Sequence, residues 1–228
     1  GTGSRRFKVL PGGGVINHHQ RSAKYRKDSP GHRQSPGLIL AVVGMAGAGK
    51  SEACSYLASK GCPVLRFGDE TDRGVKLQGL TLNEENERIY RENLRKELGM
   101  AAYAIKIAPR IRQLSTSKVE SIILDGLYSW EEYLYLQPKF PQLKLLAIYT
   151  RPEVRYQRLA VREVRRLTPE QARARDIAEI EQIHKAGPIA IADFLIDNNG
   201  DLDSLHAQLD AVLFSLQGPS LQAKRRIK

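Results

Sequence analysis

From residue 38 onward the hydrophobic positions alternate between short unbroken apolar runs and longer stretches in which apolar residues return every three to four positions. Leu38–Val43 is continuous, the pattern of a strand buried on both faces of a parallel sheet. Pro63–Phe67, Ser121–Leu124, Leu143–Tyr149 and Ala192–Ile196 read as further strands. The intervening stretches have helical spacing. A helix over about 50–60 is closed by Gly61, and a charged helical insert runs over about 83–114. Pro152 opens another helix at its first turn. A polar helical stretch follows over 162–185, broken at Thr168-Pro169, and Asp201–Leu216 is a closing amphipathic helix. Strands alternating with helices predict an α/β fold, a parallel sheet with helices on both faces.

The ends of the chain do not share this pattern. Gly1–Ser4 has the look of a cloning scar, and Arg5–Pro36 is rich in Gly, Pro, Ser and basic residues, with no core of its own. Residues 1–36 therefore read as a basic extension, 37–216 as one domain and 217–228 as a second basic tail. The first segment carries a net charge of +7 and the last +4, so the overall +11 belongs to the tails and the domain is formally neutral. Basic tails attract polyanions, which makes nucleic acid a candidate partner. No apolar run is long enough to span a bilayer, and the N-terminal stretch has no secretory h-region. With Cys54 and Cys62 outside any metal-spaced motif, the expectation is a cytoplasmic protein with reduced cysteines and no membrane partner.

The chemistry is concentrated after the first strand. Gly44-Met45-Ala46-Gly47-Ala48-Gly49-Lys50-Ser51 is a complete G-x-x-x-x-G-K-S, placed between a strand and a helix as a phosphate-binding loop requires. Glycines let such a loop curl until its backbone N–H groups point at phosphate oxygens, and the helix N-terminus adds partial positive charge. Lys50 is placed to bridge β- and γ-phosphates, and Ser51 to bind Mg²⁺. Asp125, at the tip of the strand ending Ile123-Leu124, is a second metal candidate. The chain is short, lacks an N-K-x-D base-reading motif, and has a charged insert after its second strand. It also carries Arg158 and Arg162 at the start of an arginine-rich segment. Together these select a kinase, with Arg158 and Arg162 entering from a mobile lid to neutralise the transferring phosphoryl group. ATP and Mg²⁺ are the implied cofactors.

The stretch Val42–Glu52 resembles the archaeal adenylate-kinase-like, dephospho-CoA-kinase-related P-loop kinases of the nucleoside-monophosphate-kinase-like superfamily. So do Gly79-Leu80-Thr81, Asn83–Asn86, Leu94–Met100, Leu124-Asp125-Gly126 and Ala192-Asp193-Phe194. The resemblance spans about 38–216. It implies a P-loop kinase core, a helical acceptor-binding insert over about 68–115 and an Arg-rich lid over about 162–185. It further implies that Gly44, Ala46, Gly47, Ala48, Gly49, Lys50, Ser51 and Glu52 hold the nucleotide. Two departures remove positive charge near the expected acceptor. Asp72 stands where the family pattern Gly-Asp-x-x-Arg has arginine, with Arg73 one place later, and Tyr128 stands where an arginine follows the Asp-Gly pair.

The acceptor-side residues are then Asp69, Arg73, Arg95 and Tyr128. A phosphate acceptor would use Arg73 and Arg95. An alcohol acceptor would use Asp69 as general base, since an ionised phosphate hardly needs one. The expected activity is transfer of a γ-phosphoryl group to a small nucleotide- or nucleoside-type acceptor. The alternatives are a hydroxyl kinase of the dephospho-CoA kinase type, a kinase acting on a base or terminus in nucleic acid, and a regulatory P-loop ATPase.

Overall fold

A computed structural model describes residues 37–117, 119–163 and 165–216 of the protein. Both basic tails, and the polyanion-binding role expected of them, lie outside the described residues. Five parallel strands, β1 (Leu38–Val43), β2 (Val64–Arg66), β3 (Ser121–Asp125), β4 (Leu143–Tyr149) and β5 (Phe194–Asp197), form a sheet of order β2-β3-β1-β4-β5. The apolar run of β1 occupies the centre, where a strand is covered on both faces. The alternation of its side chains divides the core in two. Ile39, Ala41 and Val43 pack with Ile122, Leu124, Leu145 and Ala147 on one face. Leu40 and Val42 pack with Ile123, Leu146, Ile148 and Ile196 on the other. The second face is covered by α1 (Lys50–Ser59) through Ala53, Cys54 and Leu57, and by α9 (Leu202–Leu216) through Leu205, Leu209 and Val212.

The first face is covered by the insert, which holds more structure than its sequence pattern announces. It contains α2 (Gly68–Leu77), α3 (Glu84–Leu98) and α4 (Ala102–Ser115). The charged helical stretch over 83–114 is divided at Gly99, whose φ of 76° lies in the left-handed region that ends helices. Helix α2 precedes that stretch and falls within the helical insert implied over about 68–115. Tertiary partners decide it: buried Glu70 accepts from Arg110 Nη1 at 2.7 Å, and the Thr71 and Tyr103 hydroxyls bond at 2.7 Å. Gly74 sits inside α2 because the Tyr90 ring of α3 lies 1.9 Å from where a Cβ would be.

Two further short helices, α5 (Trp130–Leu136) and α8 (Ala186–Ala190), were also missed. In α5, Ser129 and Glu132 form a reciprocal capping box. Helix α6 (Pro152–Ala160) follows β4, and α7 (Pro169–Ile183) begins anew with a capping box between Thr168 and Gln171. Arg165 between them has a φ of 55°, incompatible with one helix over 162–185.

Among the described residues no helix is long and apolar enough to cross a membrane. Cys54 and Cys62 are free thiols, and burial pushes the pKa of both upward.

Glu132 makes the fold sensitive to pH. Burial pushes its carboxyl up to about 7, although the N–H groups of Tyr128 (2.7 Å) and Ser129 (3.2 Å) both donate to the ionised form. The folded protein therefore holds this proton more tightly than the unfolded chain, and the group's contribution to stability falls as pH rises from about 4.5 to about 7. The slope is at most about 1.4 kcal/mol per pH unit. Denaturant unfolding of Glu132→Gln and wild type at pH 5 and pH 7 should show their stability difference shifting by more than about 1 kcal/mol in the variant's favour. The same difference at both pH values would mean that Glu132 is ionised throughout.

Candidate nucleotide and phosphoryl-transfer site

The phosphate loop leaves β1 at Gly44 and enters α1 at Lys50, and its shape is set by groups that hold its carbonyls. Arg155 Nη1 donates to Ala46 O at 3.0 Å. Asn198 Nδ2 donates to Ala48 O at 2.8 Å, and the Thr150 hydroxyl lies 3.0 Å from the same oxygen. A peptide's N–H points opposite its C=O, so holding these two oxygens turns the amides of Gly47 and Gly49 to the other side of the loop. The glycines are required by space as well as by torsion. At Gly49 (φ 103°) an added Cβ would lie 2.2 Å from Asn198 Nδ2, and at Gly47 (φ 79°) 2.8 Å from Arg155 O. Larger residues would push the clamps away.

Lys50 Nζ folds back over the loop, donating to Gly44 O at 2.8 Å and Met45 O at 2.9 Å. Burial, with repulsion from Lys185 added, pulls its ammonium down to about 7; Glu179 and Asp125 act in the opposite sense. A polyphosphate arriving here would restore the ammonium's charge, because an anion at contact distance favours the protonated form.

Asp125 ends β3 beside Val42 of β1, and its carboxylate lies 3.6 Å from Arg66 Nε. Ser51 is exposed at the start of α1. Among the described residues no cluster of three or more His, Cys, Asp or Glu could hold a metal ion on its own. A serine hydroxyl and a carboxylate are hard oxygen donors, fitted to Mg²⁺ that keeps waters and phosphate oxygens as its other ligands. The residues present thus fit the ion, as partial ligands.

Beside the loop, Gly49, Glu52, Arg158, Asn198, Gly200, Asp201, Leu202 and Leu205 line a cleft of about 330 Å³. Arg158 Nη2 donates to Asn198 O at 3.0 Å and Nη1 to the Thr150 hydroxyl at 3.4 Å, so its guanidinium lies along the cleft wall. Glu52, on the opposite rim, lies 3.5 Å from His206 Nε2. Arg162 is exposed on the segment between α6 and α7. In that segment Arg165 pairs with Glu84 (2.5 Å) and Glu87 (3.8 Å) of α3, tying the lid to the insert.

The acceptor-side residues are spread around the tips of β2 and β3. Asp69, in the first turn of α2, lies 3.8 Å from Arg66 Nη1. Tyr128 turns its ring against Gly126, at 3.0 Å from where a Cβ would stand. Arg95 lies 5.7 Å from the Tyr103 ring, with a buried Nε that has no hydrogen-bond partner. Arg73 is exposed on α2. The structure therefore brings Asp69 and Asp125 together around Arg66, and sets Arg73 and Arg95 elsewhere on the insert.

Sequence reasoning missed Arg66, Arg155, Asn198 and Lys185. Arg155 stands three residues before Arg158 and could have been weighed with it. Asn198 carries no motif of its own.

Comparison with known proteins agrees with this architecture. A family model described as an AAA domain matches residues 40–181. A UPF0200 protein of Methanocaldococcus jannaschii is 32% identical over 178 residues, covering 77% of this chain and 89% of its own. One from Methanoculleus marisnigri is 32% identical over 183 residues, covering 79% and 97%. Among solved structures, TT1252 from Thermus thermophilus aligns with a TM-score of 0.54 at 23% identity, over 81% of this chain and 100% of that one. A shikimate kinase from Acinetobacter baumannii, in complex with shikimate, aligns with a TM-score of 0.51 at 18% identity, over 79% and 95%. At such identities the structural likeness speaks for the fold alone, and that fold is the α/β P-loop kinase fold.

The clamp on the loop can be tested through Arg155. Its guanidinium is paired with buried Asp176 at 2.6 and 3.0 Å and also donates to Thr150 O at 3.1 Å. Removing one partner of a buried ion pair strands the other, so Arg155→Met should cost about 3–5 kcal/mol in denaturant unfolding. Arg155→Met/Asp176→Leu should recover most of that stability, yet still bind nucleotide weakly, because Ala46 O has lost its donor. A double variant with wild-type nucleotide affinity would show that the loop keeps its shape without the clamp.

Proposed function

The chain belongs to the AAA-domain family and groups with the UPF0200 proteins, and from that premise we propose that it is an ATP- and Mg²⁺-dependent phosphotransferase acting on a small nucleotide- or nucleoside-type acceptor. The observation that carries this reading is the preset phosphate loop, with half-buried Lys50 folded over it and a carboxylate at the tip of the neighbouring strand. In this reading the amides of Gly47 and Gly49 and the Lys50 ammonium receive the β- and γ-phosphates. The cleft along Arg158, Asn198 and Leu202 takes the base and sugar. Ser51 and Asp125 would hold Mg²⁺, which when bound would offset the negative charge of the phosphates. Arg158 then orients the nucleotide from the cleft wall, and Arg162 is the lid residue free to swing toward the transferring group.

A hydroxyl acceptor is the second reading, and the position of Asp69 favours it. Its carboxylate is partly exposed and shares Arg66 with Asp125, which puts a basic oxygen on the acceptor side of the metal-binding aspartate. A coenzyme precursor with a free ribose hydroxyl, as in dephospho-CoA kinase, is one acceptor of that kind. Arg66 supplies a cation there, so a phosphate-bearing substrate is still accommodated.

A screen of radiolabelled ATP against nucleosides, nucleotides, dephospho-CoA and oligonucleotides tests the proposal. A labelled product should appear with wild type and vanish with Lys50→Met, since removing a charge aimed at the transferring group acts on the chemical step. Phosphate release with no labelled product across the panel would point to an ATPase instead. Once the acceptor is known, Asp69→Asn separates the two readings. For an alcohol it should lower kcat by roughly 10²–10⁴-fold, as loss of a general base does. For a phosphate it should raise the acceptor KM and leave kcat nearly unchanged.

A further inference from the structure

Lys185 stands where α7 ends and α8 begins, and neither the P-loop pattern nor the lid arginines account for it. It is 4% exposed, with its ammonium 2.6 Å from Glu179 Oε2 and 5.3 Å from the Tyr128 ring. That ring covers Gly126, the residue after Asp125, so Lys185 stands beside the tip of β3 with the Tyr128 ring between them. Its charge also acts on Lys50, together with Arg175, Glu179 and Asp125. Lys50, Lys185 and Arg175 thus act on one another's charge together with Glu179 and Asp125.

Depending on the nucleotide-binding reading above, we propose that Lys185 is a second phosphate lysine of this site, which leaves Glu179 for the terminal phosphoryl group when a nucleoside triphosphate binds. Three features make this exchange inexpensive. Glu179 is not stranded by it, because Arg175 Nε already donates to its other oxygen at 3.0 Å. The two ammonium groups repel each other, and an anion between them removes that repulsion. The lysine's root is fixed while its stem is long. Its N–H bonds Glu179 O at 3.1 Å, His184 holds the left-handed turn with Nδ1 2.6 Å from Glu131, and Gly187 lies against the Trp130 ring. Lys185 is therefore anchored in the body of the fold, and its contact with the Tyr128 ring sets it by the tip of β3, where the nucleotide reading above puts the terminal phosphoryl group. An ion pair serving stability alone has no reason to place a second lysine within the field of Lys50.

Calorimetric titration of the full chain with Mg²⁺-ADP and with a non-hydrolysable Mg²⁺-ATP analogue tests this. Lys185→Met should weaken the analogue by roughly ten- to a hundredfold, the value of one charge-assisted contact, and ADP by less than about threefold. Should Lys185→Met unfold because Glu179 is left short of charge, Lys185→Met/Glu179→Gln removes that burden and should show the same selective loss. Lys185→Arg should recover part of it. Equal weakening of both nucleotides, or wild-type affinity for the analogue in the double variant, would overturn the proposal and leave Lys185 a structural partner of Glu179. Failure of the wild type to bind either nucleotide would instead overturn the nucleotide reading itself, and this role with it.

Discussion

The fixed orientation of two peptide carbonyls, Ala46 O and Ala48 O, is the constraint from which the rest of the site follows. An anion-binding loop has to present N–H groups, and a short glycine-rich segment has no intrinsic reason to prefer that face. Here the preference is imposed from outside, by a guanidinium from α6, a hydroxyl at the end of β4 and an amide at the end of β5. Each donor comes from the C-terminal edge of the sheet or from the helix that follows it. The order β2-β3-β1-β4-β5 sets β4 directly beside β1 and β5 beside β4, which delivers Thr150 and Asn198 to the loop. Arg155 is in turn held by Asp176 of α7, so the lid helix is coupled to the loop through a buried ion pair. Reordering the strands would leave the same loop sequence without its clamps.

This arrangement explains what the sequence made legible. The buried strands are readable because each is apolar on both faces, and β4 runs over Leu143–Tyr149 as its pattern predicts. The loop is readable because its glycines and Lys50-Ser51 are contiguous and sit between a strand and a helix. The bounds of α2 were not legible in the local pattern, because its buried Glu70 is satisfied by Arg110, 40 positions away. Over 162–185 the break expected at Thr168-Pro169 is where α7 begins, but the residues before it are not helical, and the left-handed torsion of Arg165 among them has no local sequence signal. Clamping residues were hidden for the same kind of reason. Asn198 and Arg155 act through contacts 150 and 109 positions away, which local pattern cannot reveal.

The lid and insert meet through exposed charge. Arg165 pairs with Glu84 and Glu87, which also engage Arg91. Exposed pairs of this kind contribute little to stability and are screened by salt. The Arg155–Asp176 pair, midway along α7, is buried and escapes that screening. The helix is thus held firmly at the loop and loosely at its approach to the insert.

The acceptor side shows how a lost charge is replaced. By family resemblance, arginines are expected four residues after Gly68 and two after Gly126, where this chain has Asp72 and Tyr128. The cation is present all the same, since Arg66 at the end of β2 places its guanidinium between Asp125 and Asp69. Moving the charge from a helix to a strand tip changes what it can do. A guanidinium shared by two carboxylates at 3.6 and 3.8 Å is partly neutralised, so it draws in an acceptor anion less strongly than a free arginine would. It also holds Asp69 near Asp125, so two carboxylates meet at the tips of β2 and β3. Tyr128, in place of the second arginine, offers Lys185 an aromatic face in place of a like charge, and so lets that lysine occupy the strand tip. Both departures replace an arginine expected by resemblance, and leave Arg66 as the cation shared by the two carboxylates.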